Sequence, residues 1–266
     1  QLEVMKLLFN LSFVVILSIF FFSCTENSDN IIHDLPIYTL DASDMVYPTN
    51  IMHFSQDFYL AVKYDEPIDA FVDTLSRINS EILASDLISF EHELSFWINI
   101  YNSLVQYKLL IDSNAFKNVD DFFKTSNLLI AGHPISLDEI EHGIIRGKKY
   151  SNPIVDLFQL EKLDYRIHFT MNCGASSCPA IAYYKPESLE QDLSDAEKVF
   201  ISSTSSYDSL SNTLNVSELF DWFKEDFGGE KGVLSIMSRN NVLPMHVVPE
   251  INFVPYNWNL ESKNYK

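Results

Sequence analysis

The sequence predicts an α+β fold: a predominantly helical single domain packed on a small antiparallel sheet. Three observations carry this expectation. Apolar residues recur at three-and-four spacing through most of the chain after residue 50, two-residue alternation is confined to a few short stretches, and no internal repeat is evident. With 20 Phe and 13 Tyr there is ample material for a core.

The elements follow in order. From His53 the pattern is helical, with Phe54, Phe58, Leu60 and Val62. A second helix after Pro67 carries Ile68, Phe71, Val72, Leu75 and Ile78, and Pro67 suits a first helical turn. Ser89 is placed to cap a long helix from Phe90 to about Leu110, whose Leu94, Trp97, Ile98, Tyr101, Val105 and Leu109 form a broad apolar stripe. Residues 127–135 hold two short apolar runs around Gly132, the pattern of a hairpin. Ser136 and Glu139 match a capping box, so a helix should begin at Leu137 and continue through Glu141 and His142 to about Ile145. Tyr165 to Asn172 alternates, with Ile167, Phe169 and Met171 on one side and Arg166, His168 and Thr170 on the other, which predicts a strand. Helical patterns return at 188–201, 218–227 and 232–240, and a last extended segment covers 251–256.

Ahead of this domain, residues 1–24 read as a lipoprotein signal. Lys6 is followed by sixteen uncharged residues, Leu7 to Phe22, and then Ser23-Cys24 at the cleavage boundary. An uncleaved membrane anchor is the alternative, although a spanning helix needs about 20 apolar residues. Residues 25–45 form a polar, acidic tether, and 46–266 make the domain. This reading places the mature protein in the bacterial cell envelope, held to a membrane by lipid on Cys24 and facing the periplasm or the cell surface. The formal charge of −19 disfavours both nucleic-acid binding and polybasic membrane attachment. No cofactor is implied. The partner is an unspecified small molecule, peptide or protein.

If Cys24 is acylated, Cys173 and Cys178 are the remaining thiols, in a compartment where disulfides persist. They sit in a loop of small residues after the predicted strand. Strand parity would point His168 and Cys173 to opposite faces, leaving Cys178 free to fold back towards His168. If Pro179 opened a helical turn, Cys178 would be its N-cap, where the dipole favours a thiolate. Three readings stay open. One is a structural disulfide worth about 2 kcal/mol. Another is a Cys178 nucleophile activated by His168 or His142, with Asn172 or backbone amides stabilising an oxyanion. The third is a metal site using Cys173, Cys178, His168 and His142, for which the C-x4-C spacing is poor; no metal is expected. A dithiol oxidoreductase is weaker still, lacking a thioredoxin-like order of elements. Glu141 beside His142 is either an acid and base or a satisfied helix-end pair. Asn99 and Asn102, three apart on the long helix, either tie it to neighbouring loops or contact a ligand.

Four ordered segments then resemble the domain of unknown function 547 family: Phe96 to Asn102, Leu137 to Arg146, Arg166 to Pro179 and Phe220 to Gly228. They cover roughly 97–228, and Val254 to Trp258 is similar to the family's closing tyrosine-tryptophan segment, with Asn257 where the pattern has Asp. The resemblance implies an exported domain in which Asn99, Asn102, Glu141, His142, His168, Cys173 and Cys178 belong to one module. It supplies no reaction. The leading expectation is a thiol-dependent hydrolase with Cys178, His168, His142 and Glu141 as catalytic residues, and Asn99, Asn102, Asn172 and Cys173 as binding residues. The competing expectation is a non-enzymatic binding or scaffold module with a structural disulfide.

Overall fold

The long apolar stripe between residues 90 and 111 decides the architecture. It forms helix α4 (Phe90–Ile111), on which Leu94, Phe96, Trp97, Ile98, Ile100, Tyr101 and Val105 are all buried. A helix buried on nearly every side must be wrapped by others. The computed structural model, which describes residues 43–265, shows how. The signal segment Met5 to Cys24 and almost all of the acidic tether lie outside the described residues. Among the described residues no helix is long and apolar enough to cross a membrane.

Helix α1 (Ile51–Lys63) packs on α4. Asn50 caps it, accepting from the His53 amide at 2.9 Å. Helix α2 (Asp69–Arg77) has Ile68 as its N-cap, so Pro67 precedes the helix and does not sit in its first turn. Short helices α3 (Ser80–Asp86) and α5 (Val119–Lys124), each capped by an Asn, were not predicted. Six or seven residues give too little periodicity to read. Ser89 caps α4 as expected.

The predicted hairpin pairs β1 (Leu128–Ile130) with β2 (His133–Ile135). Ala131 and Gly132 both take positive φ, as a tight hairpin turn requires, and their amides donate to the Leu75 and Ser76 carbonyls at 2.9 and 2.7 Å. The capping box forms too: the Glu139 amide donates to Ser136 Oγ at 3.1 Å, and the Ser136 amide to Glu139 Oε2 at 2.8 Å. The helix it starts widens into π-helical turns over Glu139–Ile145, with the Arg146 amide donating to the Glu141 carbonyl five residues back at 2.9 Å. Helix α6 (Pro153–Phe158) packs against it; any Cβ at position 143 would lie 2.9 Å from a Val155 methyl, so glycine is needed there.

The strand expected at 165–172 does not form. Asp164 accepts the Arg166 amide at 3.0 Å, and a 3-10 turn runs over Tyr165–Phe169 instead. Thr170 and Met171 amides both donate back to the Ile167 carbonyl, continuing the turn rather than offering a strand edge. The alternation misled because residues 167–172 are buried on both sides, so there is no polar face for it to mark. Pro179 likewise opens no helix, and Cys178 is not an N-cap.

Helix α7 (Leu189–Thr204) is followed by a three-stranded sheet of β3 (Ser206–Asp208), β4 (Thr213–Ser217) and β5 (Glu250–Val254). The pairing of β3 with β4 is antiparallel, whereas β4 and β5 run parallel, so the sheet is mixed rather than wholly antiparallel. Between β4 and β5 lie α8 (Leu219–Trp222), only the start of the helix predicted over 218–227, and α9 (Gly229–Arg239). Two apolar clusters result. The larger surrounds α4; the smaller joins Phe169, Phe200, Phe220, Phe227 and Met237 beneath the sheet.

Candidate functional site

A cavity of about 350 Å³ opens among α5, the π-helical turns, the 165–173 segment, α8 and the residues after β5. Of the residues singled out in the sequence it gathers Glu141, His142, His168 and Cys173; Cys178, Asn99, Asn102 and Asn172 are not on its lining.

Glu141 and His142, successive residues of the π-helical turns, both line it. Tyr101, buried on α4, donates its hydroxyl to Glu141 Oε2 at 2.6 Å. Burial, followed by the charge of Glu141, pushes that phenol well above its usual range, so the proton stays on tyrosine. Asp138, one turn earlier, accepts from the Tyr150 hydroxyl at 2.6 Å. His142 Nδ1 lies 2.9 Å from an Arg146 nitrogen; guanidinium only donates, so Nδ1 accepts and the ring proton sits on Nε2, 3.7 Å from Asp138 Oδ1.

His168 is 3 % exposed and stacked on Phe223 with ring centroids 4.0 Å apart. Its Nε2 stands 3.0 Å from Asp226 Oδ2, which also accepts from Arg146 Nε at 2.7 Å. Burial would raise Asp226, but the hydrogen bond from His168 and the Arg146 charge outweigh it and hold the carboxyl at about 2. Burial lowers His168, against the opposing pull of Asp226. Nε2 therefore donates to an ionised carboxylate, and Nδ1 carries a lone pair. Arg146 covers the Phe223 ring at 4.5 Å, completing a stacked unit of cation, aromatic ring and imidazole.

Cys173 and Cys178 are bonded to each other. Cys178 Sγ also accepts the amides of Cys173 and Ala175 at 3.1 and 3.2 Å. A sulfur in a disulfide is neither a thiolate nucleophile nor a thiolate ligand, which removes both roles from Cys178 in this state. Among the described residues no group of three or more His, Cys, Asp and Glu side chains could hold a metal. The parity argument that separated His168 from Cys173 falls with the strand, since both line the cavity.

The three asparagines are structural. Asn99 spans Ser55 Oγ, the Tyr184 carbonyl and the Tyr184 amide, the last at 2.8 Å. Asn102 holds the Thr170 carbonyl and the Asn172 amide, and Asn172 in turn holds the Pro179 carbonyl and the Gly174 amide. Both amide ends of each are occupied by protein, in full burial, which leaves nothing for a ligand and fixes the cystine loop on α4.

The remaining wall was not foreseen. Trp222, Tyr256 and Trp258 pack on one another with centroids 5.0 to 5.8 Å apart. The Tyr256 hydroxyl reaches both cystine sulfurs, at 3.2 and 3.4 Å. Beyond it the chain straps across the cystine loop: the Ser176 amide donates to the Asn259 carbonyl at 2.8 Å and the Glu261 amide to the Gly174 carbonyl at 2.8 Å. Asp226 and Trp222 do lie in the aromatic, acid-rich run Phe220 to Gly228, which was the available signal.

The fold and site thus define an α+β domain with an aromatic and acidic cavity built beside a cystine loop. Residues 85–201 match the family described as "Protein of unknown function, DUF547", so the likeness holds for α4, the π-helical turns, the cystine loop and α7. The strap and the Trp222 segment fall outside the matched residues. No curated protein and no solved structure matches the chain.

Proposed function

We propose that this chain is a small-ligand-binding module whose cystine is a structural clamp, carried on the bacterial envelope by lipid on Cys24. The observation that carries this reading is the strap. It spends the cystine loop's amides and carbonyls on seating Tyr256 and Trp258 against the cavity, so the sulfurs serve the wall rather than a reaction. A cavity with aromatic sides and a few oriented polar groups has the usual character of a ligand site.

The thiol-hydrolase reading keeps one support, the pairing of His168 with Asp226 at 3.0 Å, which orients an imidazole as a base requires. It needs Cys178 reduced, and the cystine residue on the cavity lining is Cys173, not Cys178. Iodoacetamide labelling of the purified, unreduced protein separates the two. We expect no added mass at Cys173 or Cys178 until a reductant is supplied. Labelling of Cys178 without reductant restores the hydrolase. Incorporation of labelled palmitate, lost on Cys24→Ala, tests the anchor.

A further inference from the structure

Three polar groups on the cavity lining keep an acceptor atom that makes no hydrogen bond among the described residues. Glu141 gives Oε2 to Tyr101, but its Oε1 makes no hydrogen bond among the described residues and stands 3.6 Å from His142 Nδ1, itself an acceptor. Asp138 gives Oδ2 to Tyr150, and its Oδ1 is likewise without a hydrogen bond, 3.7 Å from His142 Nε2. His168, more than nine-tenths buried, gives Nε2 to Asp226 and leaves Nδ1 with no partner among the described residues.

The cations nearby are already paired, and of the donors the tyrosine hydroxyls are engaged, while His142 Nε2 lies 3.7 Å from Asp138 Oδ1. Tyr101 donates to Glu141, and the Tyr256 hydroxyl lies on the sulfurs. Lys124 is paired with Asp120 at 2.9 Å, and Arg146 with Asp226. The indoles of Trp222 and Trp258 stand at the mouth, 43 % and 40 % exposed. Neither Asp138 nor Glu141 has a lysine or arginine partner among the described ion pairs, and the whole chain carries −19. An anionic ligand would meet repulsion, and a neutral one could satisfy at most some of the acceptors and none of their charge. A cation with several N–H donors supplies both deficits, and aromatic ring faces favour it further.

We propose that the cavity binds a ligand carrying a primary ammonium group on an apolar stem, with the ammonium among Glu141, Asp138 and His168 and the stem along Trp222 and Trp258. This rests on the binding-module reading and names the ligand class for that site. Because Trp97 is buried elsewhere in the core, a ligand-dependent change in tryptophan emission reports Trp222 and Trp258. The full chain is titrated at neutral pH with three probes of one length: n-pentylamine, n-pentanol and pentanoate. We expect saturable quenching by the amine, at least tenfold weaker binding of the alcohol, and none by pentanoate. Glu141→Gln should weaken the amine about tenfold, a loss of roughly 1.4 kcal/mol, and leave pentanol unchanged. Alcohol or carboxylate binding as tightly as the amine overturns the ammonium class while leaving the module standing. No saturable response to any of the three overturns both, and the wild-type comparison stands even if the variant folds poorly.

Discussion

Asp226 concentrates two interactions on one oxygen, taking the Arg146 guanidinium at 2.7 Å and His168 Nε2 at 3.0 Å while its side chain is only 5 % exposed. Removing its charge leaves a nearly buried guanidinium without a counter-ion, which costs far more than the pair is worth as a whole. Asp226→Asn should therefore lower the unfolding free energy by about 3–5 kcal/mol, read from urea midpoints. A loss below about 1 kcal/mol would mean that Arg146 finds another partner. The imidazole gives a pH signature of its own. Burial lowers its folded pKa below the unfolded 6.5, so the neutral ring contributes stability that is present above that pH and is lost as pH falls from there towards the folded value. Asp226 acts in the same direction further down, its contribution present above the unfolded 3.8 and lost towards about 2. Urea midpoints at pH 7.5, 6.5 and 5.5 should fall in the wild type and fall less steeply in His168→Gln. Parallel slopes in the two proteins would remove His168 as the titrating group.

At the scale of elements, what the sequence made legible was what is encoded locally. The Ser89 cap, the α4 stripe, the hairpin at Gly132 and the reciprocal Ser136 and Glu139 box each depend on residues within a few positions of one another, and each is found where expected. The strand at 165–172 failed because the sequence shows alternation but not which sides are covered, and here both are. Half of the site was legible for the same reason: Glu141 and His142 share one helical turn, whereas Tyr101, Asp226, Tyr256 and Trp258 arrive from 40 to 117 positions away from Glu141 by contacts that no local pattern records. The cystine joins these scales, since it shapes the loop on which the strap lies. Replacing both Cys173 and Cys178 by Ser should cost about 2 kcal/mol. It should also loosen Tyr256 and Trp258, shifting tryptophan emission to the red and weakening ligand binding before global unfolding. If the stability loss comes without any change in emission, the cystine staples the loop but does not hold the wall.

Over the whole molecule, 37 acidic residues face 18 basic ones, and this excess shapes both how ligands approach and how firmly the chain folds. Like charges spread over a surface repel through solvent, and that repulsion is relieved by salt once the screening length drops well below their spacing, from about 20 Å at 0.02 M towards 4 Å at 0.5 M. The buried pair of Arg146 and Asp226 is shielded from mobile ions and keeps its attraction. The exposed pairs it might be set against, such as Lys124 with Asp120, are worth at most about 1 kcal/mol each and lose little in absolute terms. Screening should then remove more repulsion than attraction. Raising sodium chloride from 0.02 to 0.5 M at pH 8 should increase the melting temperature by about 2–4 °C, the shift that roughly 1 kcal/mol produces in a domain of this size. The same salt should weaken n-pentylamine, whose approach the acidic field favours, so stability and affinity should move in opposite directions in one series. A melting temperature that falls with salt would mean that attractive surface pairs outweigh the net excess, and the field could not then be invoked to select cations at the cavity.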